Sequence, residues 1–579
     1  MIICNRHSFK YLVALALIVQ LGQAYSQSAA ITIDGVFDDW TSDLTTYSES
    51  NESIAGIDLL EFQVTNDEDY LFLRIKANAE FDLTENQLIS HEIGLFIDGD
   101  NDATTGFASQ EGYGTELGLL FYDLFAHYNV PEYSQVSMND LQMQVAPTVT
   151  SDEFEIAIRR DVIPDGQYSL FTSSTIKILF KNDINADALP VDGEVFSYTF
   201  DDTPVTPYTP ITLEKNDADD IRFLAYNTLF NGLEDEDRII HFERIIKAIN
   251  PDIMGFVESG VSNLSNIKSM FDSWLDTEDP NGWYTEINGG ELIVSRWPII
   301  KRWDLERQFP ALIDLPDEYE MDIVFTNAHL SCCSNEDSRQ NQADQYAKFV
   351  LDLKTGGEVP ENTPFIYSGD LNLVGLAQPL NTLLEGDIVN TSSYGSGGSL
   401  DWDDSDLKEL NALHTEARLN YTWRSDDSPF PPGKLDFFIY SDYTLSQTKS
   451  FILLTESMPT ETLANYGLQA DDSFGASDHL PVVSDFQIKP NLNVLSTSRA
   501  DDKKLLVYPN PVEDQLNIRF EKEGIYQVQI YSALGTKIYS DSVKGTEILL
   551  PTDQLVPGQY LVKVINSKGE EVSRAIIKE

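Results

Sequence analysis

Side chains that can bind a metal ion or transfer a proton recur at the ends of apolar segments between residues 221 and 488. Residues 221–227 end in an amide, Asn227, and residues 252–258 end in a carboxylate, Glu258. Four later segments end in similar groups: Asn327 with His329, Asp370 with Asn372, Asp436, and Asp478 with His479. Carboxylates hold hard divalent cations, and imidazoles exchange protons near neutral pH. Together these residue types can hold a cation and activate a water molecule.

The apolar segments are predicted strands, and a helix separates the first two. Residues 235–249 have apolar side chains at helical spacing and are followed by Asn250 and Pro251, which stop a helix. Strands that alternate with helices predict an α/β domain, whose sites form at the carboxyl ends of the strands. Because strand side chains alternate in direction, Asn327 and His329 should share one face, as should Asp370 and Asn372.

No single segment establishes a site, since a lone Gly-Asp-Leu-Asn or Asn-Ala-His is more often a hydrogen-bonded strand end. Asp478 and His479 are neighbours, so both reach one site only if the chain turns before Pro481. Six such segments in order, each ending an apolar strand, favour a shared catalytic site.

In order and spacing, these segments resemble the signature of the endonuclease/exonuclease/phosphatase superfamily. The resemblance covers residues 218–488 and rests on Asn227, Glu258, Asn327-Ala328-His329, Ser368-Gly369-Asp370-Leu371-Asn372, Tyr421-Thr422-Trp423-Arg424, Leu435-Asp436-Phe437 and Ser477-Asp478-His479. It implies an α/β four-layer sandwich, with two mixed sheets packed face to face and helices outside. It also implies metal-dependent hydrolysis of a phosphate ester, without identifying the substrate.

The resemblance, together with the charge and length of each side chain, gives the acidic residues their expected roles. Glu258 and Asp478 are expected to hold Mg²⁺ or Mn²⁺, as one or two ions. Asp370 is expected to orient or deprotonate the attacking water.

The amides and imidazoles receive complementary roles. Asn227 and Asn372 can donate to phosphoryl oxygens or position a ligand without adding negative charge. His479 is expected to act as general acid or base, with Asp436 fixing its tautomer and favouring the imidazolium. His329 is expected to donate to the non-bridging oxygens as charge develops there. His414, by contrast, is expected on a surface loop.

The charge of the chain limits the substrates it can bind tightly. With 95 acidic and 38 basic residues, the net charge is −57 at pH 7. Such a surface repels polyanions, which argues against tight, non-specific binding of nucleic acid. It permits phosphate chemistry, because a bound divalent cation reverses the local field.

The leading hypothesis is therefore a phosphodiesterase of nuclease-like type, acting on nucleic acid, a phospholipid or a sugar phosphate. One alternative is a phosphomonoesterase or phospholipid head-group hydrolase. The other is a non-catalytic, glycan-binding surface protein, against which the intact set of acidic residues and His479 argues.

Residues 27–202 are strand-rich and predict an N-terminal β-sandwich, with buried strands at 70–75 and 93–97. The opening from Ile31 to Trp40, Ile-Thr-Ile-Asp-Gly-Val-Phe-Asp-Asp-Trp, resembles family 9 carbohydrate-binding modules. That resemblance implies a sandwich and a glycan as a partner.

A glycine-bearing acidic loop follows the second of these strands. Asp98, Asp100 and Asp102 place carboxylates at every second position, the arrangement by which a hard cation such as Ca²⁺ collects oxygen ligands. The pattern is incomplete, because Ser109 stands where a helix-flanked calcium loop has glutamate. An acidic hairpin turn is the alternative interpretation.

The two ends of the chain predict export. Residues 1–26 have a basic start, a short apolar run and a small-residue cleavage site, as in a secretory signal peptide. No other stretch has 18 consecutive apolar residues, so the mature chain is expected to lack a transmembrane segment. Apart from Cys4, the cysteines are the adjacent Cys332 and Cys333, so the fold does not depend on a disulfide framework.

Residues 504–579 follow a polar linker at 489–503, and a proline-rich linker at 203–217 separates the first two domains. The segment from Leu505 to Ile518, Leu-Leu-Val-Tyr-Pro-Asn-Pro-Val-Glu-Asp-Gln-Leu-Asn-Ile, resembles the C-terminal sorting domain of type IX secretion cargo. It implies a small C-terminal β-sandwich, recognition by the type IX secretion machinery, and a secreted or bacterial cell-surface location.

Overall fold

A computed structural model describes residues 28–50, 55–83, 88–489, 505–508, 511–512, 515–532, 536–552, 554–566 and 571–578. The predicted signal peptide at 1–26 and residues 490–503 of the second predicted linker lie outside the described residues. Within them strands predominate over helices, which confirms the strand-rich, multidomain organisation. None of the described helices is long and apolar enough to cross a membrane.

The chain divides into two compact units. The first contains the described residues up to Ile211 together with Leu373–Ala377 and Leu413–Leu435. The second contains Thr212–Asn372, Gln378–Ala412 and the described residues from Asp436 onward. Two short segments from the middle of the chain therefore belong to the first unit.

Two antiparallel sheets form the first unit. Its strands are Thr45–Ser48 (β1), Leu59–Asn66 (β2), Tyr70–Phe81 (β3), Ile93–Asp98 (β4), Leu117–Leu120 (β5), Phe125–Asn129 (β6), Tyr133–Ser137 (β7), Gln144–Ala146 (β8), Ser151–Arg159 (β9), Thr175–Asn182 (β10), Asp187–Leu189 (β11) and Ser197–Thr199 (β12). One sheet has the order β1-β2-β3-β9-β8, and the other has β11-β10-β4-β5-β6-β7, with β12 beside β10. The predicted strands at 70–75 and 93–97 are confirmed as parts of β3 and β4.

Both sheets contribute to one apolar core. Leu71, Leu73 and Ile75 of β3 enter it at every second position, as strand geometry requires. Phe62 of β2 and Phe180 of β10 come from different sheets, and their rings lie 5.5 Å apart.

The two inserted segments bond to the rest of the first unit through their backbones. Ile33 and Leu419 form a parallel bridge, and the side-chain amide of Asn420 donates to the carbonyl oxygen of Asp34 at 3.0 Å. The hydroxyl of Thr148 donates to the carbonyl oxygen of Leu373 at 2.9 Å. The first unit therefore includes chain that the sequence analysis assigned to the second domain.

The second unit contains two six-stranded sheets and all the α-helices found among the described residues. Its strands are Ile221–Asn227 (β13), Ile253–Val257 (β14), Tyr284–Asn288 (β15), Glu291–Ser295 (β16), Ile299–Arg302 (β17), Gln308–Ile313 (β18), Ile323–His329 (β19), Phe365–Asp370 (β20), Lys408–Glu409 (β21), Asp436–Tyr440 (β22), Leu445–Ile452 (β23) and Val482–Ile488 (β24). The helices are Ile239–Ile249 (α1), Leu264–Trp274 (α2), Glu336–Gly356 (α3), Gln378–Glu385 (α4), Thr391–Tyr394 (α5), Thr460–Tyr466 (α6) and Asp472–Ala476 (α7).

Each of these sheets is mixed, with one parallel pair at its centre. The first has the order β15-β16-β14-β13-β24-β23, and the second has β17-β18-β19-β20-β22-β21. The parallel pairs are β13 with β14 and β19 with β20. The strands of these two pairs carry Asn227, Glu258, His329 and Asp370 at or just beyond their carboxyl ends.

Alternate side chains of β13 face different layers. Phe223 packs against Phe325 of the other sheet, with ring centroids 5.6 Å apart, whereas Tyr226 packs against Phe242 of α1 at 5.2 Å. Helix α1 ends at Ile249 as predicted, with Asn250 in the left-handed conformation, but begins at Ile239 rather than 235.

The C-terminal strands are Leu505–Tyr508 (β25), Gln515–Ser532 (β26), Lys537–Pro551 (β27), Gly558–Asn566 (β28) and Glu571–Lys578 (β29). They form one hydrogen-bonded sheet, in the order β25-β26-β28-β29 with β27 beside β26. The two-sheet layout expected for this domain is therefore not confirmed.

Candidate active site

Asn227, the last residue of β13, lies at the centre of the predicted site. It is only 1% exposed, and its side-chain Nδ2 donates to Asp370 Oδ2 at 2.9 Å and to Glu258 Oε1 at 3.2 Å. The same nitrogen lies 3.4 Å from Nε2 of His479. One amide therefore contacts three of the residues that the sequence grouped together.

Glu258 follows β14 directly and is the more exposed of the two carboxylates bonded to Asn227. Its side chain is 23% exposed, against 3% for Asp370. Oε2 of Glu258 accepts a hydrogen bond from the backbone N–H of Phe230 at 3.0 Å. The carboxylate is thus held in place while part of it stays open to solvent.

The loop after β13 is held in an unusual backbone conformation. Leu229, Phe230 and Asn231 have φ values of 46°, 51° and 62°, and Glu258 has a φ of 55°. For a residue other than glycine, a positive φ costs on the order of 1–3 kcal/mol, so this conformation persists only when surrounding contacts enforce it.

Hydrogen bonds from three side chains enforce this conformation. The side-chain oxygen of Asn227 accepts from Leu229 N at 2.9 Å, and that of Asn231 accepts from Gly260 N. The guanidinium of Arg238 donates to the carbonyl oxygens of residues 228, 229 and 476. The sequence analysis missed the contribution of Arg238, which carries no signal beyond being a basic residue before a helix.

His479 and Asp436 form a buried pair. Nδ1 of His479 lies 2.8 Å from Oδ2 of Asp436, and Nε2 lies 3.7 Å from Oδ2 of Asp370. Burial lowers the pKa of His479, but the negative charges of Asp436 and Asp370 outweigh burial and raise this pKa to about 10. His479 is therefore an imidazolium at neutral pH.

Asp370 ends β20, where two strands approach closely. Burial raises the pKa of Asp370 to about 7, with His479 opposing this shift and Asp436 adding to it. Its Oδ1 accepts from the backbone N–H of Asn372 at 3.0 Å. Gly369, with a φ of 131°, is required beside it, because a side chain there would collide with the carbonyl oxygen of Ala328.

His329 ends β19 and faces the same carboxylates. Its Nε2 lies 3.6 Å from Asp370 Oδ2 and 3.9 Å from Glu258 Oε1. Burial, and then the positive charge of Arg307, lower the pKa of His329 to about 4. His329 is therefore neutral at neutral pH, in contrast to His479.

The two asparagines near the strand ends have backbone partners. Nδ2 of Asn372 donates to the carbonyl oxygen of Leu330 at 3.2 Å. Asn327 is fully buried between the sheets, and its Nδ2 donates to the carbonyl oxygens of Phe256 and Leu292 at 2.8 and 3.0 Å. Asn327 and His329 therefore both face the other six-stranded sheet, as predicted, but Asn327 bonds to its backbone whereas His329 reaches the carboxylate of Glu258.

One group of donor atoms in this region could hold a metal ion. Glu258, His329 and Asp370 each offer an atom within 4.8 Å of the others, and Asp478 is not in this group as far as the described residues show. Asp478 is half-buried between α7 and β24, and its charge also helps to raise the pKa of His479. The two carboxylates of this group fit Mg²⁺ or Mn²⁺, which prefer oxygen ligands.

Other residues that the sequence placed near the surface are buried. His414 is fully buried, with Nε2 lying 2.8 Å from the carbonyl oxygen of Tyr421, so the expected surface-loop position is wrong.

Of the predicted calcium loop, Asp98 and Asp100 lie beside Glu116, whereas the side chain of Asp102 bonds to Thr104.

Two sequence families match the chain. Residues 224–479 match the Endonuclease/Exonuclease/phosphatase family, and residues 506–578 match the Secretion system C-terminal sorting domain. Endonucleases, exonucleases and phosphatases hydrolyse phosphate esters, so the chain is a hydrolase that acts on ester bonds. The sorting domain indicates that the chain is secreted or displayed at the cell surface. The resemblance of the first domain to family 9 carbohydrate-binding modules is not confirmed and stays a prediction.

No curated protein matched the sequence. Among solved structures, truncated TDP2 of Caenorhabditis elegans is 14% identical, with 46% of this chain and 98% of that chain covered at a TM-score of 0.31. The human Nocturnin catalytic domain with bound sulfate is 16% identical, with coverages of 48% and 97% and a TM-score of 0.28. ANGEL2, a 2′,3′-cyclic phosphatase in complex with adenosine-2′,3′-vanadate, is 14% identical, with coverages of 47% and 96% and a TM-score of 0.32. Similarity at this level carries no information on the substrate of this chain.

Proposed function

We propose that the chain is a secreted, metal-dependent phosphodiesterase of nuclease-like type, exported by type IX secretion, which hydrolyses its substrate by in-line attack of water. The observation that carries this proposal is the position of Asn227 Nδ2, bonded to Asp370 and Glu258 and 3.4 Å from Nε2 of His479. A four-layer sandwich over residues 218–488 is the fold we propose to support this site.

Glu258 and Asp478 are the proposed ligands of Mg²⁺ or Mn²⁺, and a carboxylate oxygen of Asp370 lies within 4.8 Å of one of Glu258. When bound, the cation neutralises charge on the phosphoryl oxygens and makes water more acidic. Asn227 fixes the positions of the Glu258 and Asp370 side chains relative to each other, because its amide donates to both carboxylates. Asn372 fixes the chain after Asp370 by its bond to Leu330 and is proposed to position the substrate.

Asp370 and His479 are proposed to divide the proton transfers. A pKa of about 7 lets the Asp370 carboxylate accept a proton from the attacking water at neutral pH. A pKa of about 10 keeps His479 protonated, so it can donate to the leaving oxygen. Asp436 holds the ring through Nδ1, which leaves Nε2 directed at the site.

His329 is proposed to stabilise the phosphoryl group without transferring a proton. Its pKa of about 4 means that the ring is neutral and carries one N–H. Nε2 faces the carboxylates of Asp370 and Glu258, where a phosphoryl oxygen would bind. A neutral donor there adds a hydrogen bond as charge develops.

The negative charge of the chain favours a hydrolase of small phosphate esters or phospholipids over a processive nuclease. A net charge of −57 opposes long-range attraction of nucleic acid, so a phosphomonoesterase or phospholipid head-group hydrolase is the second candidate. A non-catalytic glycan-binding role is disfavoured by the buried Asp436–His479 pair, because a protein without catalysis has no need to keep a desolvated charge there.

The test compares a chromogenic phosphodiester with the matching monoester, using Mg²⁺ or Mn²⁺ and a chelator control. His479→Ala should abolish diester turnover, and His127→Ala, on an exposed side chain of the first unit, should leave it unchanged. Turnover of the monoester alone would select the phosphatase alternative. If the folded protein cleaves neither ester with either metal, catalysis on simple phosphate esters is ruled out.

A further inference from the structure

A second group of carboxylates lies in the first unit, at the loop between β4 and β5. Asp98 ends β4, Glu116 immediately precedes β5, and Asp100 lies in the loop between them. Each offers one oxygen, and the three oxygens lie within 4.8 Å of one another. None of these residues belongs to the site that hydrolyses the ester.

Two of these carboxylates are buried with one oxygen left unpaired. Asp98 is 0% exposed and Glu116 is 4% exposed. Oδ1 of Asp98 and Oε1 of Glu116 have no hydrogen-bond partner among the described residues. A buried carboxylate oxygen without a partner is costly, so its presence points to a ligand at this position.

The other oxygen of each buried carboxylate is fixed by the protein. Oδ2 of Asp98 accepts from Lys177 Nζ at 2.7 Å and from Gly114 N at 3.1 Å. Oε2 of Glu116 accepts from Gly99 N at 2.8 Å. The protein therefore orients both groups through one oxygen and leaves the second oxygen without a protein partner.

The charges around the cluster are not balanced by the protein. Three carboxylates face one ammonium group, that of Lys177. Burial, and then the charges of Asp100 and Asp98, raise the pKa of Glu116 to about 7, so its ionised form is costly here unless a cation faces it. A divalent cation among the three carboxylates would supply that positive charge.

We propose that Asp98, Asp100 and Glu116 form a binding site for a calcium ion. Ca²⁺ takes six to eight oxygens in flexible arrangements, whereas Mg²⁺ demands a near-ideal octahedron and keeps much of its water. Three carboxylates on a loop, with further oxygens from water and loop carbonyls, suit Ca²⁺. Glu116 takes the place that the sequence pattern gave to Asp102, whose Oδ1 instead accepts from Thr104 N at 2.9 Å and from Thr104 Oγ1 at 2.7 Å.

The proposal is tested by calorimetric titration of the full, chelator-stripped chain with CaCl₂, in millimolar MgCl₂ so that the catalytic site is occupied. We expect one calcium ion to bind per chain. Asp100→Asn, at a half-buried position that tolerates the change, should weaken binding by at least about tenfold. Asp102→Asn, two residues away in the same loop, is the matched control and should leave affinity unchanged.

Three outcomes overturn the proposal. They are the absence of calcium binding in the presence of Mg²⁺, equal effects of Asp100→Asn and Asp102→Asn, and loss of the bound ion in Glu258→Gln. The last result would place the ion at the hydrolytic site instead. Circular dichroism of each variant shows that the chain is folded, so a lost ion cannot be confused with a lost fold.

Discussion

The side-chain amide of Asn227 and the carboxylate of Asp370 lie 2.9 Å apart and join the two six-stranded sheets of the second unit at the candidate active site. Asn227 ends a strand of one sheet, and Asp370 ends a strand of the other. The hydrogen bond favours the charged form of Asp370, which burial disfavours. The pKa of a carboxylate on one sheet is thus lowered by a residue of the other.

Asn227→Ala should shift the pH dependence of hydrolysis. Removing the amide takes away a contact that lowers the pKa of Asp370, so this pKa should rise above about 7. Because the carboxylate form is the proposed base, the acid limb of the kcat/KM profile should move to higher pH. Asn266→Ala, on an exposed face of α2, is the control and should leave the limb unchanged. A loss of rate at every pH without movement of this limb would contradict the role of Asp370.

Asp436→Asn should move the opposite limb. The charge of Asp436 and its bond to Nδ1 raise the pKa of His479 to about 10, so removing the charge should lower that pKa. Activity that needs the imidazolium should then be lost at lower pH than in the native chain, and kcat should fall by about 10²–10⁴. Asp237→Asn, an exposed aspartate, serves as the control. An alkaline limb that stays in place would show that His479 does not act as the acid.

Glu258→Gln should raise the concentration of Mg²⁺ or Mn²⁺ needed for half-maximal activity. Replacing a ligand oxygen by an amide weakens a hard cation's site, and we expect a rise of about 10–100-fold, with activity returning at high metal. Glu243→Gln, whose carboxylate pairs with Lys247 on the surface of α1, is the matched control. If the metal titration curves of the two variants superimpose, Glu258 is excluded as a metal ligand.

The sequence predicts the position of a site residue well where that position depends on a single strand. The apolar runs show where each strand ends, and the two-residue periodicity shows which way its last side chain points. On this basis the sequence places four site residues at strand ends: Asn227, Glu258, Asp370 and His329. Two-residue periodicity also places Asn327 on the face of His329, but it does not show that Asn327 bonds to backbone of the other sheet and contributes no side-chain group to the site.

Features set by distant parts of the chain could not be predicted in this way. Glu116 joins Asp98 through the pairing of β4 with β5, and no local pattern connects residues 18 apart. The left-handed loop at residues 229–231 depends on Arg238 and Gly260, and the burial of His414 depends on its segment belonging to the first unit.

Phe230→Ala should reduce affinity for substrates with a flat or apolar group beside the scissile phosphate. Phe230 is 82% exposed, and its backbone N–H bonds to Glu258, so this exposed aromatic residue lies next to a residue of the site. Stacking of a base on an exposed aromatic ring contributes about 1–3 kcal/mol, which predicts a rise in KM of about tenfold with kcat little changed. Phe125→Ala, an exposed ring of the first unit, should not change KM. Equal KM values for both variants on an aromatic ester would rule out this contact.

His414→Gln should make the protein less sensitive to acid. Burial lowers the pKa of His414 to about 4, below the ordinary value of 6.5, so the folded chain binds fewer protons than the unfolded chain between these values. The stability that His414 contributes is complete above pH 6.5 and is lost as the pH falls toward 4, by about 3 kcal/mol at most. Glutamine keeps a donor for the carbonyl oxygen of Tyr421 and does not titrate. Denaturant unfolding followed at several pH values should give a smaller decline for the variant, with His127→Gln as the exposed control; parallel declines for His414→Gln and the native chain would show that His414 is not the titrating group.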